Sequence, residues 1–322
     1  MRFLELEKNL GALKSVYVIT GEDRFLCFEA LKLIKARAVP NFSELNYVTL
    51  EPTITLPELK ENLAAYPFSD EKRVAVILDF KPKKGKDELT NFILDYSKST
   101  DFSTVLVVVG QDLSFKEISQ ENVIDCNKLS EPELLNFIEK RAKEIDAKIK
   151  PSAAKKLIDF TLGDLTRIIT ELDKLNDYKA GLEIDDVDVT HMVSKDKEYQ
   201  VFEIQEKIAK NDREAAIDIV STILEKEKNA YSIITPLYNN YKRALFVAIN
   251  KDLTEDELAR YLQVKPYAIK MLKNQTSAFS AKKLKTIVDQ IYELDNAIKQ
   301  GKIKDDVGLI KLITNILMIR NK

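Results

Sequence analysis

Val16-Tyr17-Val18-Ile19-Thr20-Gly21-Glu22-Asp23-Arg24-Phe25-Leu26 is a β-branched run that stops at a glycine and passes into a helix-forming segment. The pattern predicts a strand over 16–20 and a helix over 24–37. Working outward, the runs NYVTL at 46–50, RVAVIL at 73–78 and TVLVVVG at 104–110 predict three more strands, and 122–126 a short fifth. Helical patterns at 56–65 and 87–98 fall between them. Strands that are apolar on both faces and separated by helices imply a parallel sheet covered on both sides and built by right-handed crossovers. The N-terminal part is therefore expected to be an α/β nucleotide-type fold.

After residue 128 the strand signal disappears. Ser130-Glu131-Pro132-Glu133 has the form of a capping box with proline in the first turn, opening a helix to about 144. A helix over 151–162 is broken by Gly163-Asp164, and 165–178 follows with Leu165, Ile168, Ile169, Leu172 and Leu175 on one face. Another helix is expected near 185–193. Beyond the polar stretch 194–199, helices are expected at 201–210, 214–225, 231–249, 255–262, 266–273, 282–299 and 306–319, with a second capping box at 254–257.

Composition narrows the function. A length of 322 residues suits about two domains. Lys+Arg of 50 against Asp+Glu of 52 gives −2, so no global field marks a nucleic-acid or membrane binder. Charge is uneven, however: residues 230–322 carry 16 Lys+Arg against 9 Asp+Glu, a net of +7, which leaves −9 for the rest. Cys27 and Cys126 are the only cysteines and His191 the only histidine. Those counts exclude a Cys-rich zinc site, a disulfide framework and a zinc site built on several histidines. A Ser/His/Asp triad would have to rest on His191 in its acidic surroundings. The first nine residues alternate charge with apolar residues, unlike a secretory signal, and no run approaches the ~18 apolar residues of a membrane span. A cytoplasmic location is expected, with no membrane partner.

The turn after the first strand is informative for what it lacks. A phosphate loop there would read Gly-x4-Gly-Lys-Ser/Thr, because closely spaced backbone N–H groups and the lysine cradle the phosphates. Here one glycine is followed by Glu22 and Asp23, carboxylates that repel an anion but cap a helix well. Asp79 ends its apolar run as a strand terminator with no second acid behind it, and no Gly-x-Gly-x-x-Gly is present. The basic run KPKKGK at 81–86 is expected to be a solvated loop.

Several segments together resemble a known family. VYVITGEDRFL at 16–26, Ala65-Tyr66-Pro67-Phe68-Ser69-Asp70-Glu71-Lys72-Arg73-Val74 leading into a strand, and TVLVVVGQDL at 104–113 are similar to the bacterial DNA polymerase III delta subunit. The match continues through Gly163-Asp164-Leu165, Glu171-Leu172-Asp173-Lys174-Leu175 and Ile184-Asp185-Asp186-Val187. It closes with Phe202, Lys265-Pro266-Tyr267, Leu294-Asp295 and Lys299-Gln300-Gly301.

The resemblance implies an AAA+-like α/β domain without a working phosphate loop over 1–140, a helical lid over 141–210 and a helical collar over 211–322. It implies a clamp-loader subunit that binds and opens the sliding clamp for loading onto primed DNA. Such a subunit binds no ATP, carries no catalytic, metal or cofactor site, and is non-catalytic within the polymerase holoenzyme. Its partners would be the sliding clamp, the ATP-binding sibling subunits, delta prime and, through the complex, primer-template DNA. The family's clamp contact maps onto Tyr66, Pro67 and Phe68, where the 56–65 helix stops. A projecting ring after a rigid proline suits an anchor, since it buries much area at small entropic cost; from the residues alone, a core-packed Phe68 is the competing reading. Three other readings stay open on the sequence: an α/β enzyme with an unusual site, for which no convergent acids or lysine are recognisable, a basic helical DNA-binding protein acting alone, and an ATP-independent scaffold with an α/β domain.

Overall fold

The computed structural model describes all residues except 83–86, 265–267, 271, 274–277 and 322. Part of the basic run 81–86, the Lys265-Pro266-Tyr267 motif and part of the helix expected at 266–273 lie outside the described residues. The chain divides into two compact units, Met1–Lys128 and Leu129–Lys322.

The first unit is built on five parallel strands: β1 (Val16–Thr20), β2 (Tyr47–Leu50), β3 (Arg73–Ile77), β4 (Thr104–Gly110) and β5 (Val123–Asp125). Their order is β2-β3-β4-β1-β5. β1 lies between β4 and β5, with Val18 in register with both Val108 and Val123. Side chains alternate between faces. On one face Val16, Val18, Ala75, Ile77, Leu106 and Val108 share a core with Leu59, Leu63 and Ile93. Those three come from α4 (Leu56–Ala64) and α5 (Glu88–Tyr96). On the other face Tyr17, Ile19, Val74, Val76 and Val107 are buried, and α2 (Arg24–Ala38) runs along β1, β3 and β4. Two one-turn helices, α1 (Leu6–Asn9) and α3 (Ser43–Asn46), precede β1 and β2. The α/β expectation stands, with β2 starting one residue late because Asn46 closes α3.

The helical unit starts with α6 (Glu131–Glu144), α7 (Pro151–Thr161), α8 (Leu165–Lys179) and α9 (Asp186–Met192). The capping box at its head is formed: the Ser130 N–H donates to Glu133 Oε2 at 2.8 Å. Gly163 sits at φ +68 after the left-handed Leu162, and Asp164 accepts from the Arg167 N–H at 3.1 Å to start α8. α6 packs on α7 and α8, so it joins the helical unit, and the first unit ends at Lys128 rather than near 140.

The helices α10 (Lys197–Ala209), α11 (Arg213–Glu227), α12 (Tyr231–Ile249), α13 (Glu255–Leu262), Ala281–Lys299 and Asp305–Asn321 follow. α10 starts four residues earlier than its sequence pattern, because Asp196 caps it by accepting from the Glu198 N–H at 2.9 Å. Val201, Phe202, Ile204 and Ile208 of α10 share one core with Leu237 and Tyr241 of α12 and with Ile287 and Ile313 of the last two helices. Among the described residues, no helix is long and apolar enough to cross a membrane.

Candidate functional site

Two places in the first unit bear on function: the loop after α4 and the turn after β1. α4 is opened by a capping box, with the Thr55 N–H donating to Glu58 Oε2 at 2.9 Å and Pro57 in its first turn. Leu59 and Leu63, one turn apart, are buried against the sheet and fix the helix direction. The helix stops at Ala64; Ala65 is extended, and Pro67 bars both itself and Tyr66 from continuing the helix. The chain then turns outward. Tyr66 is 88% exposed, Phe68 is 55% exposed and Pro67 is half-buried. The three residues singled out from the sequence thus stand together on a surface loop, and Phe68 is not part of a core.

This loop is tied at both ends. The Thr104 hydroxyl donates to the Ala65 carbonyl at 3.4 Å, and the Arg73 N–H donates to the Ser103 carbonyl at 2.9 Å. Lys72 donates to the Phe102 carbonyl and lies over the Phe102 ring, 4.2 Å from its centroid. In the middle, Asn46 is fully buried and bonds the loop backbone twice: its Nδ2 donates to the Phe68 carbonyl at 2.8 Å and its Oδ1 accepts from the Phe68 N–H at 2.7 Å. The second Nδ2 bond goes to Asp70 Oδ2 at 3.0 Å. Asp70 also accepts from the Phe42 N–H at 2.9 Å and from the side chain of Asn41 at 3.0 Å. Desolvation pushes the Asp70 carboxyl up, but the donors from Phe42, Asn41 and Asn46 outweigh it and hold the carboxyl below the usual range. Ser69, at φ +55, makes the tight turn between Phe68 and Asp70.

Phe42 completes the picture. Its ring meets Phe68 edge to face, centroids 5.6 Å apart at 89°, and it is itself 43% exposed. Leu45, on α3 and three residues on, is exposed as well. Reading the sequence did not single out Phe42, Asn46 or Asp70; the separations of 22 to 29 residues between their bonded groups carry no local pattern.

In the turn after β1, the backbone donors a phosphate would need are engaged internally. The Gly21 N–H donates to the Gln111 carbonyl at 3.1 Å, Glu22 to Asn127 Oδ1 at 3.2 Å and Asp23 to the Cys126 carbonyl at 3.1 Å. Asp23 caps α2 by accepting from the Leu26 N–H at 3.2 Å. Gly21 is required here: at φ +149, a Cβ would lie 2.2 Å from the Cys126 carbonyl carbon. A cleft of about 460 Å³ remains, lined by Arg24, Phe28, Leu78, Asp79 and Gln111 among others. Asp79 terminates β3 with φ +54 and pairs with Arg24 at 3.7 Å. Below it the Cys27 and Cys126 thiols are buried and free, and the hydrogen bond with Cys27 together with burial pushes the Cys126 thiol far up.

The comparisons with known proteins follow the same division. The family model "DNA polymerase III, delta subunit" matches residues 17–148, and "DNA polymerase III delta subunit, C-terminal domain" matches 198–316. The DNA polymerase III subunit delta of Bacillus subtilis is 24% identical over 334 residues, covering 97% of this chain and 95% of the relative. A probable DNA polymerase III subunit delta of Aquifex aeolicus is 22% identical over 316 residues, covering 92% and 89%. In structure, the Bacillus subtilis DNA clamp loader delta protein shares the fold with a TM-score of 0.79 at 22% identity, covering 98% of this chain and 99% of that one. With family models matching both its α/β part and its C-terminal helices, the chain belongs to the DNA polymerase III delta subunit family.

Proposed function

We propose that this chain is the clamp-opening subunit of a clamp loader, that it grips the sliding clamp through Tyr66, Pro67 and Phe68, and that it does so without binding ATP. The observation that carries this reading is the half-exposed Phe68 ring, held out from the sheet on a backbone fixed by Asn46. An exposed aromatic is ordinarily mobile; one on a fixed backbone enters a partner pocket with little further loss of freedom.

The turn after β1 supports the rest. Its N–H groups at Gly21, Glu22 and Asp23 are already bonded, the Asp23 carboxylate caps the N-terminus of α2, and Glu22 pairs with Lys128. The energy that gates the clamp contact therefore comes from sibling subunits that do bind nucleotide. Within the helical unit, α6 to α9 serve as a lid and the later helices as the collar that seats this subunit among its siblings. The core that α10 shares with the helices after it supports a collar that begins with α10. The positive excess over 230–322 suits a collar lying near primer-template DNA.

The anchor opens the ring only by binding the open form better than the closed one. Moving a ring from 1:99 to 99:1 open takes ~10⁴-fold preferential binding, about 5.5 kcal/mol. The test is a clamp ring labelled with a fluorescent pair across its subunit interface and mixed with the full chain without nucleotide. Loss of the proximity signal at saturating chain is expected; an unchanged signal overturns ring opening by this subunit alone.

A further inference from the structure

We propose that Asn46, together with Asp70, is a positioning residue for the clamp contact: the pair forms a clasp that sets the Phe68 ring against the edge of Phe42 before any partner arrives. This rests on the reading of Phe68 as the clamp anchor.

Asn46 is one of few buried polar side chains among the described residues, and its amide is used in full. Both Nδ2 hydrogens and Oδ1 have partners, and all three bonds run to Phe68 and Asp70. None goes to a strand or a helix. Burying an amide is unfavourable unless its bonds are recovered, so a fold that needed only to fill this space would do better with an apolar residue. The side chain instead joins the end of α3 to the loop before β3. Asp70 extends the join to the other side, receiving Asn41 and the Phe42 N–H. Phe42 and Phe68, 26 residues apart in sequence, are thereby held as one edge-to-face pair with both rings open to solvent. The clasp fixes the two backbone segments that carry the rings and leaves their outer faces free, which is the arrangement a preorganised contact requires.

The experiment is a double-mutant cycle on the full chain, reading affinity for the sliding clamp without nucleotide and Tm for each protein. Asn46→Ala is expected to weaken clamp binding about tenfold, or about 1.4 kcal/mol. In a Phe68→Ala background, where there is no ring left to position, the same change is expected to have no further effect. Should Asn46→Ala fail to fold, Asp70→Ala, which cuts the clasp at its exposed side, runs the same cycle with the same expectation. Phe68→Ala weakening binding while both clasp variants bind as wild type overturns the clasp and leaves the anchor standing. An undiminished loss in the Phe68→Ala background also overturns it, because the residue then acts through stability rather than position. No effect of Phe68→Ala itself removes the anchor, and the clasp with it.

Discussion

Asn46 and Phe68 exchange two hydrogen bonds, 2.8 Å to the Phe68 carbonyl and 2.7 Å from its N–H, so one buried side chain replaces the strand neighbour that the Phe68 backbone does not have. That exchange fixes the middle of the loop, between the helix before it and the ties at Thr104 and Arg73.

That helix is α4, and Leu59 is its deepest side chain, fully buried in the core shared with β1, β3 and β4. Leu59→Ala is expected to destabilise the first unit by about 3 kcal/mol through lost transfer energy and the cavity left behind. Urea unfolding followed by circular dichroism checks it; a change below about 1 kcal/mol would mean that α4 is not the rigid support assigned to it.

Gly21→Ala is expected to cost roughly 3 kcal/mol or more, since the residue is at φ +149 and its Cβ would meet the Cys126 carbonyl and the Asn127 nitrogen at 2.2 to 2.6 Å. Thermal unfolding of the variant reads this directly. A near-neutral result would show that β5 can draw back from the turn, reopening the space a phosphate would use.

ATP with magnesium is expected to leave the Tm unchanged. A site filled at a hundredfold excess over Kd would add about 2.7 kcal/mol, a shift of a few degrees in a chain of this size. The reason for expecting none is local: the N–H groups of Gly21 and Asp23 point at Gln111 and Cys126.

Asp70 makes the loop sensitive to acid. Desolvation alone would raise its carboxyl, yet the donors from Phe42, Asn41 and Asn46 hold it below its ordinary value. The ionised form therefore stabilises the folded loop at every pH above about 3.9, the ordinary value, and that contribution disappears as pH falls through the lowered one. The Phe42 amide proton resonance is expected to titrate with this lowered midpoint and to lose the titration in Asp70→Asn.

Much of the fold was legible in the sequence because its signals are local. β-branched runs marked β1, β3 and β4 almost residue for residue, and the boxes at Ser130 and Thr254 formed as their spacing implied. Pro67 marked where α4 must stop, but Tyr66, Pro67 and Phe68 were singled out through the family resemblance; from the residues alone a core-packed Phe68 competed, and its exposure depends on contacts distant in sequence. The clasp was not legible: Asn46 looks like a strand's first residue, and its partners lie beyond a strand and a helix. Nor was the engagement of the β1 turn by Cys126 and Asn127, more than a hundred residues away, although the two carboxylates there pointed the same way. The division after Lys128 coincides with the point where the strand signal disappears and the Ser130 box opens α6, which packs on α7 and α8.

The most direct measurement is equilibrium binding of the full chain to the sliding clamp of the same organism, without nucleotide, for wild type and Phe68→Ala. Phe68 is 55% exposed and contributes little to the fold, so the variant is expected to keep the wild-type Tm. It is expected to lose about 2 kcal/mol or more of binding, roughly thirtyfold. Equal affinity of the two proteins would contradict the assignment of Phe68 as the anchor, and no binding by wild type would contradict the clamp contact itself.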